Sequence, residues 1–207
     1  MNSRGLVNQT ITALINYIEE NQLTAGQKLP KETDLAKELE IGRSTLREAV
    51  KILSFSNVLD VRQGAGTFIN NEPFSQSPSV EQLLTAREML EKQAVEQLAK
   101  QECDVAELIQ LKEALFERNR LLQEGQFSDY ITSDLNFHMK IVSLSKNPFL
   151  IKWYNELLPD LKLFLSSQML KLKDYQDNTI LHNELYEAIV DGNYDKAALL
   201  ISKNNHS

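Results

Sequence analysis

At Val58 the spacing of apolar residues changes, and that change limits the fold more than composition does. Upstream, apolar side chains recur at helical intervals: Val7, Ile11, Leu14, Ile15 and Ile18, then Leu35, Ala36 and Leu39, then Leu46, Val50 and Leu53. The run TAGQKLP breaks the first helix, and Glu40-Ile41-Gly42 is a tight turn between the next two. From Val58 the chain reads as two β-favouring runs, 58–62 and 67–69, around the glycine-rich loop Gln63-Gly64-Ala65-Gly66. Two short helices joined by a tight turn and followed by a β-hairpin form a winged helix-turn-helix pattern. After Pro73-Phe-Ser-Gln-Ser-Pro-Ser79, a linker of two prolines and three serines, the remainder reads as helix.

The expected architecture is therefore mainly α. A winged helix-turn-helix with a small hairpin wing occupies 1–72, a linker 73–79, and an all-α antiparallel bundle 80–207. Its helices are expected from Val80 toward Lys100, Val105 to Gln123, Ser128 to Leu144, Ile180 to Asp191 and Asn193 to about Asn204. Phe149 to Tyr175 contains Pro159 and predicts a kink or two helices. The aromatic and leucine-rich stretch around Trp153, Tyr154, Leu157, Leu161, Phe164 and Leu165 reads as core. One cysteine, Cys103, excludes an intramolecular disulfide framework and fits a reducing cytoplasm. No apolar run approaches the ~20 residues of a membrane span, and the N-terminus lacks a signal-peptide core.

The net charge of −7 disfavours nucleic acid only when averaged over the chain. Residues 1–72 hold eight Lys/Arg against nine Asp/Glu, so the position of the positive charges decides. On the helix beginning at Arg43, Leu46 and Val50 point inward. Arg43, Ser44, Thr45, Arg47 and Lys51 remain for solvent. A helix of this width fits the major groove, where Arg hydrogen-bonds guanine and Ser or Thr reaches phosphate or base edges. The small loop at Gln63 and Gly64 suits close approach to a groove or backbone, with Arg62 at its base for a phosphate. A helical hairpin with a solvated charged face is the plainer reading of the helices alone.

Leu29-Pro30-x-Glu32-x-x-Leu35-Ala36, Ile41-Gly42-Arg43-Ser44-Thr45-Leu46-Arg47-Glu48-Ala49 and Val58-x-x-Val61-Arg62-Gln63-Gly64-x-Gly66-Thr67-Phe68-Ile69 resemble the GntR family of bacterial transcription regulators. The resemblance implies DNA contacts from Arg43, Arg47 and the Gln63-Gly64 loop. Lys31 stands where the family usually has a capping Ser, and Thr33 where it often has Arg. Since Lys is a poor N-cap and Thr a better one, the helix is expected to start later, with Lys31 supplying the phosphate charge. Gly42 takes the place of a Ser or Thr, which removes one phosphate contact.

In the second part, Asp134 and His138 lie one turn apart on a face shared with Phe137 and Ile141. A carboxylate and an imidazole so placed form half of a metal site, and His182 is a candidate third ligand. Each lone His otherwise reads as a hydrogen-bonded core or surface imidazole. Arg87 falls within the stripe Leu83, Leu84, Leu90, Ala94 and Leu98 and needs a partner. Glu91, one turn on, is the plain partner; the functional reading is a clamp on an effector carboxylate. Arg87-x-x-Leu90-Glu91, Asp134-x-x-x-His138, Asn147 and His182-x-x-x-x-x-Ala188-Ile189-x-x-Gly192 resemble the ligand-binding domain of the FadR subgroup of GntR regulators, often called FCD. That resemblance places a further His ligand at the position of Asn204, and an amide oxygen is a poor ligand for zinc or nickel. His206 lies about 200° further around a helix and replaces it only if the C-terminus frays.

These readings predict a ligand-responsive bacterial regulator, a repressor, binding a near-palindromic double-stranded operator as a homodimer. Its effector is a small carboxylate, held by Arg87 with Asn204 beside it. Zinc, nickel or manganese on Asp134, His138 and His182 is the possible cofactor. A metal-free regulator sensing an acyl-type ligand differs in effector class. A metal-dependent enzyme using the same three residues lacks a general base or nucleophile motif and leaves the DNA-reading unit unexplained. No membrane association is expected. A non-catalytic architectural DNA binder does not account for the pocket-capable bundle.

Overall fold

The computed structural model describes residues 3–70, 79–100, 103–171 and 178–205. The chain falls into two compact units. The first comprises Met1–Ser77 with Glu124–Ser128 and Lys162–Lys173; the second comprises Pro78–Gln123, Asp129–Leu161 and Asp174–Ser207. Apart from Ser79, the linker expected at 73–79 lies outside the described residues, as does His206.

In the first unit, α1 (Ser3–Glu20) packs on α3 (Arg43–Phe55), and α2 (Glu32–Glu38) precedes α3 across the turn at Glu40. The periodic residues make the core: Val7, Ile11 and Leu14 of α1, Leu35 and Ala36 of α2, and Leu46, Val50 and Leu53 of α3 are buried. Glu40 adopts φ 55°, which reverses the chain so that the Ile41 N–H donates to the Ala36 carbonyl at 2.9 Å. The later start expected for α2 is not found. The helix begins at Glu32 behind Lys31, which makes no side-chain cap. The Thr33 hydroxyl donates to Asp34 Oδ1 at 3.3 Å, and Glu32 and Asp34 in the first turn supply the negative charge that a helix N-terminus favours. Gly42 is the N-cap of α3 and has no side chain to cap with.

The wing is an antiparallel pair, β1 (Leu59–Arg62) and β2 (Gly66–Ile69), in the register Leu59 with Ile69 and Arg62 with Gly66. The segment that breaks α1 does more than turn. Leu29 N–H donates to the Thr67 carbonyl at 2.8 Å, and Ile69 N–H to the Gln27 carbonyl at 2.8 Å, so residues 27–29 line the outer edge of β2. That pairing blunts a strand edge that would otherwise present unpaired backbone groups.

The second unit holds α4 (Val80–Leu98), α5 (Val105–Glu124), α6 (Phe127–Leu144), α7 (Pro148–Lys171), α8 (Thr179–Val190) and α9 (Tyr194–Asn205), with α6 and α7 each running across the boundary between units. Val95, Leu111, Phe137, Ile141, Ala188 and Ile201 belong to its core, and α9 packs on α4 and α8. Helix ends follow the local chemistry. Asn147 caps α7, its Oδ1 accepting from Phe149 N–H at 3.0 Å. Gly125 and Gly192, at φ 72° and 68°, follow α5 and α8. Asn193 Oδ1 accepts from Lys196 N–H at 3.1 Å at the start of α9.

Of the two alternatives for 149–175, the two-helix one is not found: α7 is one helix with Pro159 inside it. Leu150, Tyr154, Leu161 and Met169 are buried on both sides of Pro159, and that continuous stripe offsets the missing N–H. Trp153 is 49% exposed and not core. It stands about 100° around the helix from Tyr154, which is fully buried.

Candidate functional site

The first unit presents its polar residues on one helix and one loop. Arg43, Ser44 and Arg47 of α3 are exposed and Thr45 is half-buried, while Leu46, Ala49 and Val50 fill the core behind them. Arg47 Nε donates to Glu32 Oε2 at 3.3 Å, with the Arg47 side chain largely in solvent and Glu32 half-buried. Lys31, Arg62, Gln63 and Gly64 are exposed. Arg62 is held in place: its Nε donates to Asp60 Oδ2 at 2.8 Å, and its guanidinium carbon lies 4.5 Å from the centre of the Phe68 ring. Gly64 sits at φ 75° in the turn closed by Ala65 N–H to the Arg62 carbonyl, a conformation that favours glycine.

The second unit buries a polar cluster. Among the described residues its buried ionisable side chains are Arg87 and Glu91 of α4, Arg118 of α5, Asp134 and His138 of α6, and His182 of α8, with Tyr130 and Tyr154 against them. Asp134 and His138 share a face as their spacing suggested, and His182 joins them from α8, each of the three offering a ligand atom within 4.8 Å of the others. His138 Nε2 lies 3.1 Å from His182 Nε2, and His182 Nε2 lies 3.3 Å from Asp134 Oδ1. Neighbouring ligands of an ion bound at about 2.0–2.2 Å stand about 3.0–3.4 Å apart, so the spacing suits a first-row divalent metal.

Hydrogen bonding behind the imidazoles decides what they present. His182 Nδ1 is 2.9 Å from the Asn178 carbonyl, which only accepts, so Nδ1 carries the proton. His138 Nδ1 is 3.1 Å from Glu91 Oε2 and donates to that carboxylate. In neutral rings so held, both Nε2 atoms carry lone pairs. Together with Asp134 Oδ1 they are three lone-pair atoms facing one another in a buried space. Burial lowers the His182 imidazole to about 4 against the raising pull of Asp134, which keeps it neutral near pH 7. Burial would raise the Asp134 carboxyl, but Arg118, whose Nε donates to Oδ1 at 2.8 Å, holds it well below the usual carboxylate range. The cluster thus has the donor set and the outer hydrogen bonds of a divalent metal centre.

Glu91 is more than the plain partner of Arg87. Its Oε1 accepts from Arg87 Nε at 2.9 Å and from the Tyr154 hydroxyl at 2.6 Å, and its Oε2 takes His138. Burial alone would raise Glu91; His138 and Arg87 bring it down to about 2. Burial and the Glu91 carboxylate together push the Tyr154 phenol well above its usual range, keeping it a donor. Arg87 is 3% exposed, and its Nη2 has no hydrogen-bond partner among the described residues. Arg118, which the sequence reading passed over, is fully buried and also donates to Tyr130 at 2.9 Å and to Asn178 Oδ1. The signal was present: Arg118 stands one turn past Ala114 on the stripe Leu111, Ala114, Leu115, Leu122, as Arg87 does on α4. Asn204 reaches the cluster, its Nδ2 lying 3.3 Å from His138 Nε2.

Such a molecule is of a definite class: a winged helix-turn-helix joined to a helical domain with a buried, metal-competent polar centre. The family comparisons match the two parts of the chain separately. Residues 6–69 match the bacterial regulatory proteins of the gntR family, and residues 82–204 match the FCD domain. The chain belongs to the GntR family, to those of its members that carry an FCD domain. It is 26% identical to the HTH-type transcriptional regulator LutR of Bacillus subtilis, over 91% of this chain and 93% of that one. It is 27% identical to the Uxu operon regulator of Haemophilus influenzae over 75% of its length, and spans only 62% of that relative. The structure of E. coli McbR/YncC, 18% identical, shares the fold with a TM-score of 0.53 over 97% of this chain and 93% of the other. Among the described residues no helix is long and apolar enough to cross a membrane.

Proposed function

We propose that this chain is a DNA-binding transcription regulator of the bacterial cytoplasm. In this reading it represses from a near-palindromic operator as a homodimer and responds to a small carboxylate effector. Residues 1–72 read DNA: Arg43, Ser44, Thr45 and Arg47 enter the major groove, while Lys31, Arg62, Gln63 and Gly64 contact the backbone or an adjacent groove. Residues 80–207 take the effector, and 73–79 are the hinge between the two functions. Asp134, His138 and His182 hold a divalent ion such as zinc, nickel or manganese.

The observation that carries the effector class is a charge balance. The buried cluster contains two carboxylates, Glu91 and Asp134, and two guanidiniums, Arg87 and Arg118. With neutral imidazoles it sums to zero. A divalent ion leaves two positive charges in a buried place, and an anionic ligand on the ion offsets them. Arg87 Nη2, without a partner, supplies a buried donor for that anion. When bound, the metal contributes a Lewis-acid anchor for an oxygen of the effector; the protein side chains orient it.

Asn204 in the ligand ring favours one second reading, a metal-free regulator that senses an acyl-type ligand. Elemental analysis of untagged protein, followed by DNA-binding titrations with and without the ion and a panel of small carboxylates, separates the two. About one metal per chain, and an operator affinity that a carboxylate changes only when the ion is present, supports the metal reading. No metal after adding back divalent ions, with a response to acyl ligands, replaces it.

A further inference from the structure

The amide of Asn204 has a fixed direction, set from both of its ends. An Asn oxygen and nitrogen are interchangeable by shape, so neighbours must decide between them. Arg118 has donors only. Its Nη2 is hydrogen-bonded to the Asn178 side chain, which turns the Asn178 oxygen toward Arg118 and its NH2 away. Asn178 Nδ2 then donates to Asn204 Oδ1 at 3.3 Å. The Asn204 NH2 is left pointing at His138 Nε2, 3.3 Å away. From the other end, Glu91 accepts from His138 Nδ1, which in a neutral ring leaves Nε2 as an acceptor. Two independent anchors, a guanidinium and a carboxylate, require the same orientation.

We propose that the Arg118–Asn178–Asn204 relay locks Asn204 as a hydrogen-bond donor, so that Asn204 competes with a metal ion for His138 Nε2 instead of serving as a fourth ligand. The proposal rests on the reading of Asp134, His138 and His182 as the ion's ligands. The lone pair that Asn204 engages is one that the ion must take. Metal entry therefore breaks the Asn204–His138 hydrogen bond, and Asn204 sets how readily the protein loads. With an ion held by Asp134, His138 and His182, the Asn204 NH2 would remain a donor beside it.

The test is zinc affinity, measured on the metal-free full-length protein by competition with a chelating dye, for wild type, N204A and N204H. Removing the donor in N204A is expected to tighten zinc binding about 2- to 10-fold, the range of one net hydrogen bond. N204H, which adds an imidazole ligand, is expected to bind tighter still. Unchanged or weaker binding by N204A, with wild type binding zinc, overturns the competition and returns Asn204 to the ligands or to a structural role. Zinc binding by none of the three overturns the three-ligand site itself, and the inference with it. A second readout needs no variant to fold: in metal-free wild type, imidazole nitrogen NMR should show His138 protonated at Nδ1 and bare at Nε2. A proton on Nε2, whether shared with His182 Nε2 at 3.1 Å or with Asn204, would leave no lone pair there for Asn204 to donate to, and the relay would be wrong.

Discussion

Glu91 binds a guanidinium, an imidazole and a phenol at once, and its side chain is fully buried. Glu91→Gln keeps the shape but leaves Arg87 buried without its carboxylate. Breaking a buried pair from one side costs about 3–5 kcal/mol, so the urea midpoint should fall by the equivalent of about 3 kcal/mol at unchanged slope. A midpoint like that of wild type would show that the cluster tolerates an unpaired Arg87. At the other surface, Arg47 and Lys31 are both exposed cations with different expected roles. Arg47→Ala should lower affinity for a duplex selected by the protein from a random library by about 1–3 kcal/mol and relax preference at one base. Lys31→Ala should weaken all duplexes alike and reduce the salt slope by about 1. Anisotropy titrations across a salt series distinguish these patterns, and equal effects from both variants would remove the base-reading role from Arg47.

Among the elements, the wing shows how little side chain a turn requires. Gly64 at φ 75° has open space where a Cβ would stand, so Gly64→Ala carries only the backbone cost of about 1 kcal/mol. Gly66, at φ 116°, would place a Cβ 2.5 Å from Lys28 Cε, in a backbone region that L side chains rarely adopt. The Lys28 side chain can swing away, so Gly66→Ala should strain β2 chiefly through its backbone. Thermal melts should order the two variants, with Gly66→Ala the lower, and DNA affinity should follow that order. A smaller loss in Gly66→Ala than in Gly64→Ala would exclude this account of the wing. The cap at Asn147 belongs to the same scale: Asn147→Ala should cost about 1 kcal/mol, visible in the same melts, without altering metal content.

For the whole molecule, the issue is whether effector and operator are linked. Binding in the second unit changes DNA affinity only if the ligand distinguishes two conformations, and the coupling must then be reciprocal. Arg87→Ala breaks the same pair with Glu91 from the other side and should also lose about 3 kcal/mol of stability, but the folded protein should bind the operator while losing most of the carboxylate response, measured as the ratio of operator affinities with and without the ligand. An unchanged ratio would confine Arg87 to its pair with Glu91. Sedimentation of protein and protein–operator complexes tests the homodimer: one chain per half-site and two per operator is the expected stoichiometry.

Period and spacing alone determined much of this protein. The helix–helix–helix–hairpin order, the buried faces of α1 and α3, the glycine at the wing turn and the approach of Asp134 to His138 all follow from neighbours within a few residues, where backbone geometry leaves few alternatives. Tertiary structure decided the rest. No local rule brings His182 to His138 across 44 positions, or makes Glu91 the hub of three hydrogen bonds. The same holds for the pairing of residues 27–29 with β2 and for the continuity of α7 through Pro159. Asn204 is the clearest case. Its identity is plain in the sequence, but the direction of its amide depends on Arg118 and Asn178, which lie 86 and 26 positions away in the chain. Hydrogen-bond direction is a property of the closed network, and a network closes only when the helices that carry it have packed.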